Sequence, residues 1–302
     1  MIAVDRGRYT CVRAGADAAG QRVTAVKARE LVRGSVVVGD VVSLAGDVSG
    51  DPGTLARIVR VAPRTSVLRR SADDTDPVER VIVANADQLG IVSALASPTP
   101  RPRLIDRFLV AGYDAGIDPL LILTKADLAS PDGILATYAP LGIRYLVSGR
   151  PVTEALLGEL RALLAGRVSV LVGHSGVGKS TLVNALIPEA GRAVGTVSPV
   201  TGRGRHTSSS VVALPLPGGG WIIDTPGLRS FGLGHISADR VVRAFPDLAE
   251  GVADCPPGCS HLGADCTLDS WVASRDGTGA LAARLESLRR LLRSREGRDD
   301  GD

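Results

Sequence analysis

Gly173-His174-Ser175-Gly176-Val177-Gly178-Lys179-Ser180-Thr181-Leu182 reads as a cradle for phosphate. An apolar, β-branched run from Val168 to Val172 leads into it. An amphipathic segment from Thr181 to Ile187 leads out, and Pro188 stops that helix. Strand, glycine-rich loop and helix in this order form the context a phosphate-binding loop needs. Gly173, Gly176 and Gly178 let backbone N–H groups converge on phosphate oxygens. Lys179 reaches the outer phosphates, and the Ser180 hydroxyl is placed to ligate magnesium.

Further motifs lie on both sides. Thr124-Lys125-Ala126-Asp127 directly follows the apolar run Leu120 to Leu123 and resembles the guanine-reading motif of GTPases, with Thr in place of the usual Asn. A carboxylate at Asp127 accepts from guanine N1–H and its amino group, whereas adenine presents an acceptor at N1, so the residue favours one base and repels the other. The Lys125 stem is expected to lie along the base plane. Ser148-Gly149, after the strand Tyr145 to Val147, fits a loop whose backbone N–H meets guanine O6, or equally a plain turn. Asp224-Thr225-Pro226-Gly227 ends the apolar strand Trp221 to Asp224, where the carboxylate holds magnesium through water and the Gly227 amide senses the γ-phosphate. Thr207, in Gly204-Arg205-His206-Thr207-Ser208, is the candidate to complete magnesium coordination, with Ser208 as the alternative. The base-reading motif precedes the phosphate loop, the reverse of an ordinary GTPase, so the domain reads as circularly permuted. Leu228 stands where a water-orienting Gln is expected, which predicts slow intrinsic hydrolysis.

The surrounding pattern predicts an α/β sheet of parallel strands. Leu89 to Val92 and Leu120 to Leu123 are buried-strand runs, and Leu104, Ile105, Phe108 and Leu109 form one helical face between them. Ser130-Pro131 marks a helix start, Glu154 to Leu164 a further helix, and residues 207 to 224 a β-hairpin turning at Pro217 to Gly220. Upstream, short runs such as Ser35 to Val38, Asp40 to Leu44 and Leu55 to Val61, split by glycines, predict a small β-barrel. The polar stretch Ser71 to Pro77 reads as a linker. Downstream, Leu281 to Arg295 carries Leu281, Leu285, Leu288, Leu291 and Leu292 as an apolar stripe and predicts an amphipathic helix with a basic outer face. Asp299 to Asp302 reads as a frayed end. The expected boundaries are 1–72, 73–233 and 234–302.

Charge is distributed unevenly. The net formal charge is +3, but residues 1–72 hold twelve Lys and Arg against six Asp and Glu, which is 12 − 6 = +6. That balance favours contact with nucleic acid phosphates, through Arg57, Arg60, Arg64, Arg69 and Arg70. Tyr9 is the only aromatic there, so base stacking is not the main grip. Only Lys27, Lys125 and Lys179 are lysines, and two of them sit in nucleotide motifs. Charged residues interrupt the N-terminal stretch and no apolar run approaches spanning length, so a cytoplasmic protein without membrane contact is expected. Cys255, Cys259, His261 and Cys266 offer three thiolates and one imidazole, a complete tetrahedral set for zinc. Cys11 reads as a small buried hydrophobe.

The sequence resembles the circularly permuted, small-ribosomal-subunit-dependent GTPases of the RsgA/YjeQ family. The resemblance rests on Pro63-Arg64 with Leu68-Arg69-Arg70, on Ala84-Asn85 with Asp87-Gln88, on Gly204 to Thr207, on Asp224 to Arg229, and on the cysteine cluster. It implies a multi-domain α/β chain: an OB-fold barrel, a circularly permuted P-loop GTPase domain, and a C-terminal zinc-binding helical domain. It further implies GTP hydrolysis to GDP, with Mg2+ and one Zn2+ per chain, during late maturation of the small ribosomal subunit and in contact with its rRNA. A monomer is expected, and His206 becomes a candidate to position the attacking water beside Thr207 and Lys179. The outer gaps of the cysteine cluster are each one residue shorter than is typical of the family. Two rivals are an RNA-binding structural protein with a non-cycling nucleotide and a P-loop kinase or ATPase, which Asp127 disfavours.

Overall fold

The computed structural model of the chain describes residues 1–14, 20–31, 36–71, 78–191, 211–226, 231–233, 236–243, 245–275 and 279–296. His206, Thr207, Ser208, Gly227 and Leu228 lie outside the described residues, as do the linker residues 72–77 and the end beyond 296.

Five strands form the first unit: β1 (Ala3–Asp5), β2 (Arg8–Val12), β3 (Arg22–Lys27), β4 (Val42–Gly46) and β5 (Ala56–Val61). They pair in the order β1-β2-β3-β5-β4, with β3 and β5 parallel. Alternation drives this: Val23 and Ala25 on β3, and Ala56 and Ile58 on β5, point inward and are wholly buried. Met1 closes the far side, its amine donating to the Asp40 carbonyl (2.8 Å) while Gly39 N–H donates to Met1 (3.0 Å), just ahead of β4. This is a partly open five-stranded barrel of OB type. Arg64, expected to meet phosphate, is instead held in the barrel by a two-pronged ion pair to fully buried Asp40 at 2.7 and 2.9 Å. A buried carboxylate needs a partner, and Arg supplies both donors at once. Arg57 and Arg60 stand exposed on β5.

The hairpin β6 (Val67–Arg70) and β7 (Arg80–Ala84) leads into the second unit. There follow β8 (Gln88–Ala94), α1 (Pro102–Asp114), β9 (Asp118–Thr124), α2 (Asp132–Tyr138), β10 (Arg144–Ser148), α3 (Glu154–Leu164), β11 (Val168–Val172), α4 (Lys179–Leu186), β12 (Val212–Pro215) and β13 (Trp221–Asp224). The helices start where their caps say they should. Pro102 opens α1, and the Thr153 hydroxyl accepts from Leu156 N–H to cap α3. Strands β10, β9, β8, β11 and β13 are parallel, with β8 buried along its whole length. Helices α1 and α2 pack on one face of the sheet and α3 and α4 on the other. The sheet is not purely parallel, because β12 returns antiparallel to β13 and then pairs Val212 with Ala3 of β1. One eleven-stranded sheet therefore runs from the second unit into the barrel.

The last unit comprises α5 (Ala238–Val242), α6 (Ala249–Ala253), α7 (Leu268–Arg275) and α8 (Ala280–Glu296). Leu285, Leu288, Leu291 and Leu292 of α8 are buried as the stripe requires. Among the described side chains, Arg293 stays on the outer face, paired with Glu286 on the same helix (3.0 Å), but three other arginines turn away from solvent. Arg284 grips Asp247 (2.7 and 2.9 Å), Arg289 grips Asp269 (2.7 and 2.6 Å), and Arg290 reaches Asp106, which is 2% exposed. These arginines bend inward because each finds a carboxylate on a neighbouring element, and the aliphatic stems cover apolar surface on the way. Arg284 and Arg290 also stack over the rings of Phe245 and Tyr138. Breaking the Asp106–Arg290 pair from one side is expected to cost about 3 kcal/mol or more. No helix among the described residues is long and apolar enough to cross a membrane.

Candidate functional site

Chain order in the sheet reverses between β8 and β11, since β9 and β10 are added on one side of β8 and β11 on the other. Such a switch point opens a crevice at the carboxyl ends of the strands, and the sequence motifs converge there. Strand β11 ends at Val172, and the backbone of the next residue, Gly173, is pressed against β8. A Cβ added there would stand 2.3 Å from the Val92 carbonyl oxygen, so no other residue fits. Gly178, at φ +100°, turns the chain into α4, whose first residue is Lys179. The free N–H groups of the α4 N-terminus, with Ser180 and Thr181 in its first turn, thus open onto the loop formed by His174, Ser175, Gly176 and Val177.

Lys179 is 7% exposed, and its Nζ donates to the carbonyls of Gly173 (2.7 Å) and His174 (3.0 Å). Burial pulls its pKa down to about 8, against the pull of the Asp224 charge. A phosphate beside the ammonium favours the protonated form, so the bound protein holds this proton to higher pH than the free one. Nucleotide affinity is therefore expected to be full below pH 8 and to decline as pH rises through that value. Titration calorimetry across this range checks it, and a flat affinity would count against phosphate contact by Lys179.

The base-reading motif lies two strands away, at the end of β9. The Thr124 hydroxyl donates to the Val177 carbonyl (2.5 Å), so the Thr that replaces Asn ties this strand to the phosphate loop. Lys125, at φ +61°, runs back across the loop and donates to the carbonyls of Gly176 (3.0 Å) and Ser97. Asp127 Oδ1 accepts from the Arg150 N–H (2.9 Å), and Ala126 N–H donates to the Ser148 carbonyl (3.0 Å). Ser148 and Gly149 therefore border a small cleft with Lys125, Gly178 and Thr181. Asp224 ends β13 beside β11 at 1% exposure, and the Thr225 hydroxyl anchors the strand end to the Leu171 carbonyl (2.6 Å). His206, Thr207 and Gly227 fall outside the described residues. The sequence reading missed Ser97 and Arg150. Arg150 directly follows Ser148-Gly149, and that adjacency could have drawn attention to it. Ser97 is brought in only by the fold.

A cavity of about 810 Å3 lies elsewhere, between the barrel and the starts of β11 and β13. Its lining is mostly apolar, with Arg13, Arg22, Asp40 and Asn85 among the apolar residues, and it contains neither a glycine-rich loop nor a helix N-terminus. Volume alone is the weaker guide here, because phosphate recognition needs aimed N–H groups and a cation.

The cysteine cluster gathers between α6 and α7. One ligand atom from each of Cys255, Cys259, His261 and Cys266 lies within 4.8 Å of the others. Cys255 Sγ and Cys266 Sγ are 3.8 Å apart, and Cys266 Sγ is 3.9 Å from His261 Nδ1. Tetrahedral zinc with sulfur at about 2.3 Å demands an edge of about 3.8 Å, so the donor set fits despite its shortened gaps. Burial pushes the Cys266 thiol up to about 11 and the His261 imidazole below its usual value. The imidazole is thus neutral and ready to ligate, while the thiol needs a cation to become thiolate. Arg289 donates from Nε to the His261 carbonyl (3.1 Å), which fixes the ligand from behind.

Comparison with known proteins gives a consistent picture. Residues 61–234 match the family described as RsgA GTPase. A relative from Pseudomonas aeruginosa (strain LESB58), named small ribosomal subunit biogenesis GTPase RsgA, is 40% identical over 252 residues, covering 78% of this chain and 70% of the relative. The crystal structure of YloQ, a circularly permuted GTPase, aligns with a TM-score of 0.65 at 22% identity, over 100% of this chain and 96% of that one. That of YjeQ from Thermotoga maritima aligns at 0.62 and 22% identity, over 93% and 92%.

Proposed function

The chain belongs to the RsgA GTPase family, and from that premise we propose that it hydrolyses GTP to GDP and phosphate while assisting late maturation of the small ribosomal subunit. The observation that carries this reading is the convergence of the Lys179 loop and Asp127 at the carboxyl ends of β11 and β9, with Asp224 alongside on β13. Asp127, Lys125 and the Ser148-Gly149 turn hold guanine. The Gly173 to Thr181 loop holds the phosphates. Ser180, Thr207 and, through water, Asp224 hold Mg2+, which supplies charge stabilisation to the transferring phosphoryl group. Lys179 stabilises the same developing charge, Gly227 senses the γ-phosphate, and His206 positions water. Cys255, Cys259, His261 and Cys266 hold one zinc ion.

The proposed partner is the subunit and its rRNA, met by the exposed Arg57 and Arg60 of the barrel and by the zinc lobe, with the protein acting as a cytoplasmic monomer. The units are assigned as 1–72, 73–233 and 234–302. Leu228 in place of Gln leaves the free protein a poor hydrolase. Purified small subunits are therefore expected to raise GTP turnover by about 10²-fold or more, if they supply what an activator supplies in other GTPases. Turnover that is unaffected by subunits would overturn the ribosomal part of this reading, and ATP competing as well as GTP would overturn the nucleotide part.

A further inference from the structure

Helix α1 carries two charged residues that are almost fully buried, Asp106 and Arg107, at 2% and 8% exposure. Nothing in the nucleotide chemistry requires either. Arg107 Nη1 donates to the Phe231 carbonyl (2.8 Å) and Nη2 to the Ser294 carbonyl (3.2 Å). Phe231 stands seven residues after Asp224, on the chain that leaves the magnesium motif. Ser294 lies in the last turn of α8, where backbone carbonyls have no helical partner. One guanidinium thus caps the C-terminal end of α8 and holds the backbone at Phe231 at the same time.

The surroundings make that chain segment a junction. Phe231 packs edge-on against Phe108 at 5.1 Å, and Ser71 N–H, at the end of β6, donates to the Gly232 carbonyl (3.1 Å). Asp106, next to Arg107, receives Arg290 one turn before Ser294 on α8 (3.2 Å), and the neighbouring Arg289 holds His261 of the cysteine cluster. We propose that Arg107 is a positioning residue that couples the segment following Asp224 to α8 and the metal lobe, so that nucleotide state at the crevice is read as order or disorder of the α8 C-terminus.

The physical basis is satisfaction of buried donors. If Phe231 moves with nucleotide state, the guanidinium must follow it and strain its bond to Ser294, or stay and lose a buried hydrogen bond, and either course costs free energy. Either way the free energies of the two ends are linked, and by reciprocity the lobe biases the nucleotide site.

The inference rests on the nucleotide cycle proposed above, so nucleotide binding is measured on the same samples. The experiment is amide hydrogen exchange of residues 280–296 in the full, zinc-loaded chain, with GDP and with a non-hydrolysable GTP analogue. In the unmutated protein the last turn of α8 is expected to exchange about fivefold or more differently between the two states, the lower end of ordinary coupling. Arg107→Lys keeps charge and stem but offers a point donor that does not span two carbonyls, and the ratio should collapse toward one while both nucleotides still bind. Arg107→Met is the second variant, and Lys carries the test if Met fails to fold. A purely structural role would accelerate exchange equally in both states and preserve the ratio. A preserved ratio in the variants, or no difference in the unmutated protein, overturns the proposal. Failure to bind any guanine nucleotide defeats the functional reading instead.

Discussion

Asp127→Asn is expected to lower GTP affinity by a factor on the order of 10² to 10⁴ and to shift preference toward xanthosine triphosphate. The magnitude follows from two hydrogen bonds to a charged acceptor, each about 1.5–3 kcal/mol, at about 1.4 kcal/mol per tenfold. The direction follows from the structure. Asp127 Oδ1 is already engaged by the Arg150 N–H at 2.9 Å, so the Asn amide oxygen is expected to keep that bond. Its amino group must then replace the oxygen that faces the base. Guanine presents donors there and is repelled, whereas xanthine presents its O2 as an acceptor. The fold should be undisturbed, because Arg150 keeps its acceptor. Competition between the two triphosphates measures the shift, and an unchanged base preference would remove Asp127 from the site.

Cys259→Ser should cost the protein about one zinc ion and unfold the segment from α6 to α7. Structural zinc contributes about 10–16 kcal/mol of apparent binding energy in small domains, most of which is folding energy. Of this segment's helices, only Leu268 and Val272 of α7 are buried in the central core, and α6 is 5 residues long and α7 is 8, too short to hold without the metal. Helix α8 should stay docked, because Leu288, Leu291 and Leu292 belong to the central core and Arg290 is paired with Asp106. GTP binding should therefore survive while protease cuts between residues 249 and 275. Metal analysis finding no zinc in the unmutated protein would refute the assignment, and loss of nucleotide binding would mean the lobe supports the crevice more directly than its contacts indicate.

Physical range explains which features could be read early. The phosphate loop spans ten residues, the guanine motif four and the cysteine set twelve. Within such spans, backbone geometry alone brings the donors together, so residue type and spacing carry the chemistry. The permuted order was legible for the same reason, as it is only the order of local motifs. Helix α3 was legible because its cap, its Leu157, Leu160 and Leu164 face and its end all lie within one segment.

The arginines were not legible. Arg64 looked like a phosphate contact, and Arg284, Arg289 and Arg290 like a solvated face, because charge in a sequence does not announce its partner. Their carboxylates are 24, 37, 20 and 184 residues away in the chain. Which acid meets which base depends on how elements pack, as does the continuation of the sheet through Ala3 and Val212 into the barrel. By itself the sequence determined which residues are candidates for nucleotide and metal chemistry, since short-range motifs need only local backbone geometry. Only the tertiary structure decided that Arg107 would join the chain leaving Asp224 to the end of α8, because burying a guanidinium between two carbonyls 63 positions apart is set by packing, which no local pattern encodes.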